Sequence, residues 1–345
     1  MKKLYKTAFL AAAITCLLGA PSAFAEGEAQ KVQRGMSTSL NEFVSFSGAI
    51  EVEAAYTEDF EGVSESSIDL ATAEFAIEAQ LTEWGRGIMA IEWDGDEDKL
   101  NIDEAFILVG NEDKFPLVGQ FGRFIVPFGV YEGNTISDPL TKEAFETKED
   151  AAMANLGIGD FYGNLYVFNG DTNEGGGSDN IEHFGVNVGY ELRNDNLVFG
   201  AGMGYMNSVF DSDGLTDGFP DSIESDYAGG FAINTKLGIA GIGLFAEYIT
   251  ALDPVDGVEP SAFQLEATYV TEVTEREIFF SLGYSETDEL GGVFPESRIA
   301  ATAGIGLTEG LGLTVEYAHD EDYAINDGGT GEGADAYILQ LAYEF

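Results

Sequence analysis

Residues 337–345 read Tyr-Ile-Leu-Gln-Leu-Ala-Tyr-Glu-Phe. Every second residue from Tyr337 to Phe345 is a tyrosine, a leucine or a phenylalanine, whereas Gln340 and Glu344 lie on the intervening row. Successive side chains of a strand point to opposite faces. The stretch therefore predicts a β-strand with one wholly apolar face, which is typical of a barrel strand between lipid and water.

The same alternation recurs along the chain. It predicts strands at 44–56, 67–81, 85–94, 99–110, 114–126, 151–159, 161–169, 181–192, 196–207, 227–236, 240–250, 261–271, 275–286, 296–306, 310–319 and 335–345. Their usual length agrees with the roughly 9–11 residues that a tilted membrane strand needs. We therefore predict an all-β fold, a transmembrane antiparallel up-and-down β-barrel of sixteen strands over residues 44–345.

The connections between these strands alternate in length. Tight turns are predicted near residues 82–84, 111–113, 160, 194–195, 237–239, 272–274 and 307–309. Longer links are predicted at 57–66, 127–150, 170–180, 208–226, 251–260, 287–295 and 320–334, with 95–98 as a short member of that set. Short periplasmic turns opposite longer external loops are the pattern of bacterial barrels. A soluble sandwich gives no reason for such sorting.

The N-terminus predicts export. Three lysines precede an apolar run over residues 8–20, and Ala23-Phe24-Ala25 is typical of a signal-peptidase site. We expect a cleaved signal peptide at 1–25, a short periplasmic segment at 26–43 and the barrel at 44–345. The single cysteine, Cys16, lies in the predicted leader. Disulfide bonds are therefore not expected in the exported chain.

Charge and composition exclude several classes of protein. The sequence has 15 basic and 62 acidic residues. Without the three leader lysines, the net charge is 12 − 62 = −50. Nucleic-acid binding is excluded, because phosphate contacts require lysine and arginine. A helical membrane protein is excluded too, since no mature apolar run reaches the ~20 residues of a spanning helix. The acidity favours either a cation-preferring pore or soluble external loops.

The inward row of the predicted strands is polar and mostly acidic. Its charged members are Glu51, Glu53, Glu74, Glu78, Glu92, Glu247, Glu266 and Glu316, opposed by Arg86, Arg123 and Arg298. We expect solvated lumen residues that together produce a weak cation preference. On this interpretation Glu247→Arg should fold nearly normally, whereas Leu244→Arg on the lipid face should cost about 2–4 kcal/mol.

Residues 119–129 read Gly-Gln-Phe-Gly-Arg-Phe-Ile-Val-Pro-Phe-Gly and run into Thr-Ile-Ser-Asp-Pro-Leu-Thr at 135–141. These segments resemble the legiobactin-receptor (LbtU) family of siderophore porins, and the Pro-Phe-Gly is also similar to the phosphate-selective porins O and P. The resemblance implies a sixteen-stranded outer-membrane channel without an energised plug, with ferric siderophore among its expected solutes. The family's longer N-terminal region has no counterpart in segment 26–43, which leaves open whether the chain forms oligomers.

The longest link, 127–150, is our candidate for the pore constriction. In general porins the third external loop folds into the lumen, and by analogy this link would do so. A solvated external loop is an equally open alternative. The charged candidates in link 127–150 are Glu132, Asp138, Lys142, Glu143, Glu146, Lys148, Glu149 and Asp150. Opposed lysines and acids there would create a field across the pore.

Enzymatic and metal-binding functions have little support. The two histidines are His183 and His319, no common hydrolase motif occurs, and the acidic segment 211–218 departs from the spacing of a calcium loop. We expect no catalysis, no cofactor and no dedicated metal site. The predicted function is passive passage of small solutes or ions through the outer membrane, with membrane lipid as the partner. A closed-lumen barrel with a structural or adhesive role is the alternative.

Overall fold

The computed structural model describes residues 38–41, 43–94, 99–172, 180–194, 196–219, 227–254 and 257–345. The predicted signal peptide 1–25, most of segment 26–43 and the link 95–98 lie outside the described residues. Within the described part, no helix is long and apolar enough to cross a membrane.

The described chain consists almost wholly of strands. They are β1 (Thr38–Asn41), β2 (Val44–Glu58), β3 (Ser64–Thr82), β4 (Gly85–Asp94), β5 (Lys99–Val109), β6 (Leu117–Ile125), β7 (Lys148–Ile158), β8 (Phe161–Phe168), β9 (His183–Asn194), β10 (Leu197–Met206), β11 (Gly230–Ile239), β12 (Ile242–Ala251), β13 (Ser261–Val273), β14 (Arg276–Asp288), β15 (Ser297–Thr308), β16 (Leu311–Glu321) and β17 (Gly333–Glu344). Two short helices are α1 (Leu140–Phe145) and α2 (Asp213–Gly218). Short 3₁₀ turns lie at Val209–Asp211 and Ile325–Asp327.

From β2 to β17 each strand pairs antiparallel with the next, and β17 pairs with β2. The predicted sixteen-stranded closed barrel is therefore confirmed. At the seam, Gly48 and Phe345 exchange two backbone hydrogen bonds, at 2.9 and 3.0 Å. The short strand β1 was not predicted. It pairs with Val44–Phe46, the part of β2 that lies beyond the end of β17.

The two faces of the barrel differ as the alternation predicts. On β17 the outward side chains from Tyr337 to Tyr343 are 44–52 % exposed, whereas the inward Gln340 is 4 % exposed. The exposed row is apolar because lipid covers it. Tyrosines cluster at the outer strand ends. The centroid of the Tyr337 ring lies 6.3 Å from that of Tyr56 and 5.0 Å from that of Tyr317. Such rings suit the headgroup level of a membrane.

Strand ends differ from the prediction mainly at the outer rim. β7 begins at Lys148 rather than at 151, and β3 begins at Ser64 rather than at 67. These extensions are polar, and they pair with neighbouring strands like the rest of the ladder. Apolar alternation cannot mark them, because a strand needs an apolar face only where it meets lipid. The third external link consequently shortens from 127–150 to residues 126–147.

The interior contains an apolar cluster that the expectation of a polar lumen did not include. Inward side chains of β4–β8, among them Phe106, Phe124 and Tyr166, pack against loop side chains such as Phe128 and Phe145. The lumen is therefore polar on part of its circumference only. Loops that enter the barrel cover the apolar part.

Candidate functional site

The link between β6 and β7 lies inside the barrel, and we call residues 126–147 the inner loop. Its neck is closed by a hydrogen bond from the Val126 N–H to the Thr147 carbonyl oxygen, at 2.9 Å. From there the loop contacts inward residues of β11 through β16. Helix α1 forms the returning half of the loop and is largely buried.

Three inward glutamates bind the backbone of the inner loop. Glu247 accepts hydrogen bonds from the N–H groups of Val130 and Tyr131, at 2.7 and 3.0 Å. Glu266 accepts from the backbone N–H of Asn134, at 2.9 Å, and from its side-chain amide, at 2.6 Å. A third glutamate binds the loop in the same way further along, and we call Glu247, Glu266 and Glu316 together the carboxylate ladder.

That third glutamate is Glu316. It accepts from the N–H groups of Ile136 and Ser137, at 2.5 and 2.8 Å. Each of the three glutamates lies near the middle of its strand, on β12, β13 or β16. The carboxylate ladder therefore holds the inner loop about halfway along the barrel. Hydrogen bonds between a carboxylate and backbone N–H groups are among the stronger ones in proteins.

Arg298 on β15 fastens helix α1 to the wall. Its guanidinium donates to Glu143 at 2.5 Å, to both oxygens of Asp320 at 2.8 Å, and to the Asp138 carbonyl oxygen at 2.7 Å. The Arg298 side chain is only 7 % exposed. One buried cation thus joins the inner loop to β15 and β16.

The other bases predicted for the loop are also paired. Lys142 forms ion pairs with Asp138 at 3.3 Å and with Glu146 at 4.0 Å. Lys148, the first residue of β7, pairs with Asp103 of β5. None of the loop's lysines therefore presents an open charge to the lumen.

The inner loop also carries Glu132, which is partly exposed. Lys236 of β11 pairs with it at 3.0 Å and with Glu191 of β9 at 3.0 Å. These three side chains are 25–33 % exposed and so reach water in the lumen. Glu78 and Arg86, on β3 and β4, form another partly exposed inward pair at 3.4 Å.

Several predicted lumen charges face inward but are not solvated. Glu247, Glu266, Glu316 and Arg298 are buried by the inner loop. Glu51 and Glu53 are also buried, and Glu53 accepts a hydrogen bond from Gln340 at 2.9 Å. The expectation of water-exposed side chains is wrong for these residues, because the loop or neighbouring side chains cover them. Glu74 is half-buried.

Arg123 departs from the expected inward position. It is exposed, in phase with the exposed Phe121 and out of phase with the buried Phe124. Asp150, predicted within the constriction, is likewise exposed and lies directly opposite Arg123 on β7. Glu149, in the preceding position, is half-buried. The polar extension of β7 placed these residues in the wall rather than in the loop.

The external loop between β10 and β11 crosses the outer side of helix α1. We call residues 208–219 the strap. The Asp213 N–H donates to the Glu146 carbonyl oxygen at 2.9 Å, and Thr147 Oγ1 lies 3.1 Å from Ser212 Oγ. A Cβ on Gly214 would lie 2.0 Å from the Glu143 carbonyl oxygen. The strap and the inner loop are therefore in backbone contact.

Burial changes the ionisation of groups in these two loops. Loss of hydration raises the pKa of Glu143, although the Arg298 guanidinium opposes the shift. Burial also raises the pKa of Tyr131 well above its ordinary value, and the negative charge of Glu247 adds to this. For Asp211, burial acts in the same direction, but hydrogen bonds from His183 and the Thr172 N–H bring its pKa below the ordinary value.

The two histidines are each paired with a carboxylate. His183 Nε2 lies 3.1 Å from Asp211 Oδ2, and its Nδ1 accepts the Gly170 N–H at 3.3 Å. Nε2 thus faces a carboxylate, Nδ1 accepts a backbone N–H, and the side chain is 3 % exposed. His319 and Asp320 are neighbours in sequence but do not pair, because Asp320 binds Arg298 and His319 Nδ1 lies 2.9 Å from Asp335 Oδ1. A general base needs a nitrogen that can reach its substrate, and the His183 ring is too deeply buried to offer one.

Several residues of this site were not predicted from the sequence. They are Asn134, Ser212, Gly214, Asp211, His183 and Asp320. Asp320 and His183 carried a usable signal, since each lies on the inward row of its strand, β16 or β9. Asn134, Asp211, Ser212 and Gly214 lie in loops, where contacts produce no periodic pattern.

Comparison with known proteins agrees with this architecture. No family model matches the chain. A UPF0422 protein of Coxiella burnetii (strain RSA 493 / Nine Mile phase I) is 29 % identical over 308 residues, which cover 84 % of this chain and 66 % of that protein. UPF0422 protein lpg2959 of Legionella pneumophila subsp. pneumophila is 25 % identical over 336 residues, covering 86 % and 62 %. The chain thus spans less than two thirds of the length of these relatives. Their names do not confirm the LbtU resemblance.

Solved structures of outer-membrane proteins share the fold. The outer membrane channel DcaP of Acinetobacter baumannii superposes with a TM-score of 0.62 at 13 % identity, covering 90 % of this chain and 99 % of that one. OprB of Pseudomonas putida gives 0.62 at 12 %, covering 88 % and 94 %. Salmonella typhi OmpF, in complex with daunomycin, gives 0.62 at 13 %, covering 90 % and 100 %. The chain is a sixteen-stranded barrel of the outer-membrane type.

Proposed function

We propose that this protein is an outer-membrane channel for small polar solutes and ions, with the inner loop as its constriction. The observation that carries the proposal is the course of that loop. It enters a closed barrel with an apolar exterior and is fastened halfway along it by Glu247, Glu266 and Glu316. A loop held in this way narrows the lumen without needing to fill it.

The passage beside the inner loop is narrow. Inward side chains at mid-height are buried on strands all around the barrel, among them Thr72, Asn155, Ser281 and Thr314. A wide, water-filled pore would leave such residues exposed. We infer that ions and small polar solutes pass, and that larger solutes are excluded while the inner loop stays in place.

Ferric siderophore is the finer candidate for the solute. The motif at residues 119–129 supports it, because that segment forms β6 and the entry of the inner loop. A ferric siderophore is a large solute, and the inward side chains beside the docked loop are buried at mid-height. Its uptake therefore requires that the loop move.

Conductance and liposome swelling test the proposal. Purified protein in planar bilayers should give discrete current steps, and proteoliposomes should swell in small sugars but not in large oligosaccharides. A ferric siderophore in the same assay tests the finer candidate. Correctly folded protein that passes neither ions nor sugars would overturn the channel in favour of a closed-lumen structural barrel.

A further inference from the structure

The strap joins three parts of the barrel that are far apart in sequence. At its start, Asp211 is bound by His183 at the outer end of β9 and by the Thr172 N–H at 2.7 Å. In its middle, α2 lies on helix α1 of the inner loop. At its end, a Cβ on Gly218 would lie 2.3 Å from Val293, in the loop between β14 and β15.

The contact between strap and inner loop is close and specific. It combines the Asp213 N–H bond to Glu146, the adjacent hydroxyls of Thr147 and Ser212, and the approach of Gly214 to the Glu143 carbonyl oxygen. No residue larger than glycine fits at Gly214 without moving the two backbones apart. Leu215 is fully buried beside this contact.

The inner loop is consequently held from two sides. The carboxylate ladder and Arg298 bind it to the wall, and the strap covers α1 from the outside. Movement of α1 away from Arg298, toward the mouth of the barrel, is obstructed by α2. The inner loop cannot rise until the strap has lifted.

We propose that the strap, residues 208–219, is a lid that locks the constriction, and that lifting it widens the channel for larger solutes. This inference rests on the proposed channel function and adds its regulation. The energy of the lock lies in a few backbone bonds and a small apolar contact. Such contacts open far more readily than the barrel wall, as expected for segments that gate access to a site.

An engineered disulfide tests the closed position. Thr147 and Ser212 are replaced together by cysteine; their hydroxyl oxygens are 3.1 Å apart. The only native cysteine, Cys16, lies in the predicted leader. The folded double variant should oxidise to completion, whereas either single variant should form no intramolecular bond. Failure of the pair to form a disulfide in folded barrel overturns the docked strap.

Gly214→Val tests the released position. The added side chain should prevent docking, so the strap amides lose hydrogen-exchange protection, and both conductance and the solute size limit rise. Gly87→Val is the matched control, because a Cβ there meets nothing within 4 Å. Folding is checked for every variant by its shifted mobility on unheated gels. If Gly214→Val does not fold, the disulfide pair still decides: reduction should raise the frequency of large openings, and oxidation should abolish them.

Two outcomes separate this inference from the channel itself. Loss of strap protection in Gly214→Val with unchanged conductance and size limit overturns the lid but leaves the channel. Absence of current in wild type and in every variant overturns the channel, and with it the lid, even where cross-linking shows a docked strap.

Discussion

Arg298 shows how much depends on one buried side chain. Its single positive charge is shared by Glu143 and Asp320, and both carboxylates are largely buried. Arg298→Met leaves them without a partner in a water-poor interior. We expect a loss of about 3–5 kcal/mol in the free energy of unfolding, as for other broken buried ion pairs. Urea titration of the refolded barrel measures this.

The control for this prediction is Arg276→Met, because Arg276 is exposed at a periplasmic turn. That change should alter stability by much less. Adding Glu143→Gln to Arg298→Met should restore part of the loss, since one of the two unpaired charges is removed. A single Arg298→Met variant as stable as wild type would show that this ion pair does not hold the loop.

Gly48 is a second residue on which the fold depends. A Cβ at this position would lie 2.6 Å from the ring of Phe345 at the seam between β2 and β17. Gly48→Leu should displace that ring and weaken barrel closure, so we expect slower folding and less heat-resistant barrel on unheated gels. Gly87→Leu, also outward and unobstructed, should fold like wild type. Equal behaviour of the two variants would contradict the packing at the seam.

At the level of elements, the carboxylate ladder changes the prediction for Glu247. As a solvated lumen residue it would tolerate arginine, but it is 1 % exposed and accepts two backbone N–H groups. An arginine at position 247 would place its N–H donors against the backbone N–H donors of Val130 and Tyr131, and it would add an unpaired buried charge. We now expect Glu247→Arg to expel the inner loop from the lumen.

Protease sensitivity measures this expulsion. External protease should cut residues 126–147 in Glu247→Arg cells but spare them in wild type, and conductance should increase. Leu244→Arg, on the lipid face of the same strand, should instead cost about 2–4 kcal/mol in barrel stability while leaving the loop protected. A Glu247→Arg barrel with a protected loop would mean that the other anchors suffice.

The strands were predictable because each obeys one rule, apolar side chains toward lipid, at every second residue. β17 shows this, since its outward side chains from Tyr337 to Tyr343 are exposed and apolar, whereas the inward Ile338 and Gln340 are buried. The inner loop follows no such rule. Ile136 and Ser137 are held through their backbone N–H groups, which every residue except proline has. The identity of these two residues therefore does not reveal the contact.

The same limit explains the two misplaced residues. Arg123 and Asp150 lie in the polar rim of β6 and β7, where alternation no longer reports which face meets lipid. The inward phase of Glu247, Glu266 and Glu316 was visible in the sequence. What they bind was not, because the partner is a segment more than a hundred residues away in the chain.

At the scale of the whole molecule, charge determines the expected selectivity. The acids of the ladder are used by the inner loop, but the whole chain still carries a formal net charge of −47. Acidic external loops concentrate cations at the mouth. We expect a weak cation preference in reversal-potential measurements. It should fade between 0.1 M and 1 M salt, where the Debye length falls from about 10 Å to about 3 Å.

A matched pair of triple variants locates the source of this preference. Replacing Glu143, Glu146 and Glu149 by glutamine removes three charges at the inner loop and the start of β7. Glu61, Glu289 and Glu332 replaced by glutamine remove three exposed charges from other external loops. The first set should lower the cation preference more, because its residues lie in the inner loop or directly after it. Anion preference in wild type would refute the charge argument.

The carboxylate ladder also has a consequence for descent and for engineering. Its glutamates grip peptide groups, which are the same whatever amino acid supplies them, and Asn134 is the one loop residue whose side chain they also bind. Positions such as Ile136 and Ser137, which the ladder holds through their N–H groups, can therefore be substituted by any residue except proline without loss of these hydrogen bonds. The backbone mounting stays the same when such side chains are exchanged, so one barrel could present different surfaces to its lumen by altering a single short segment.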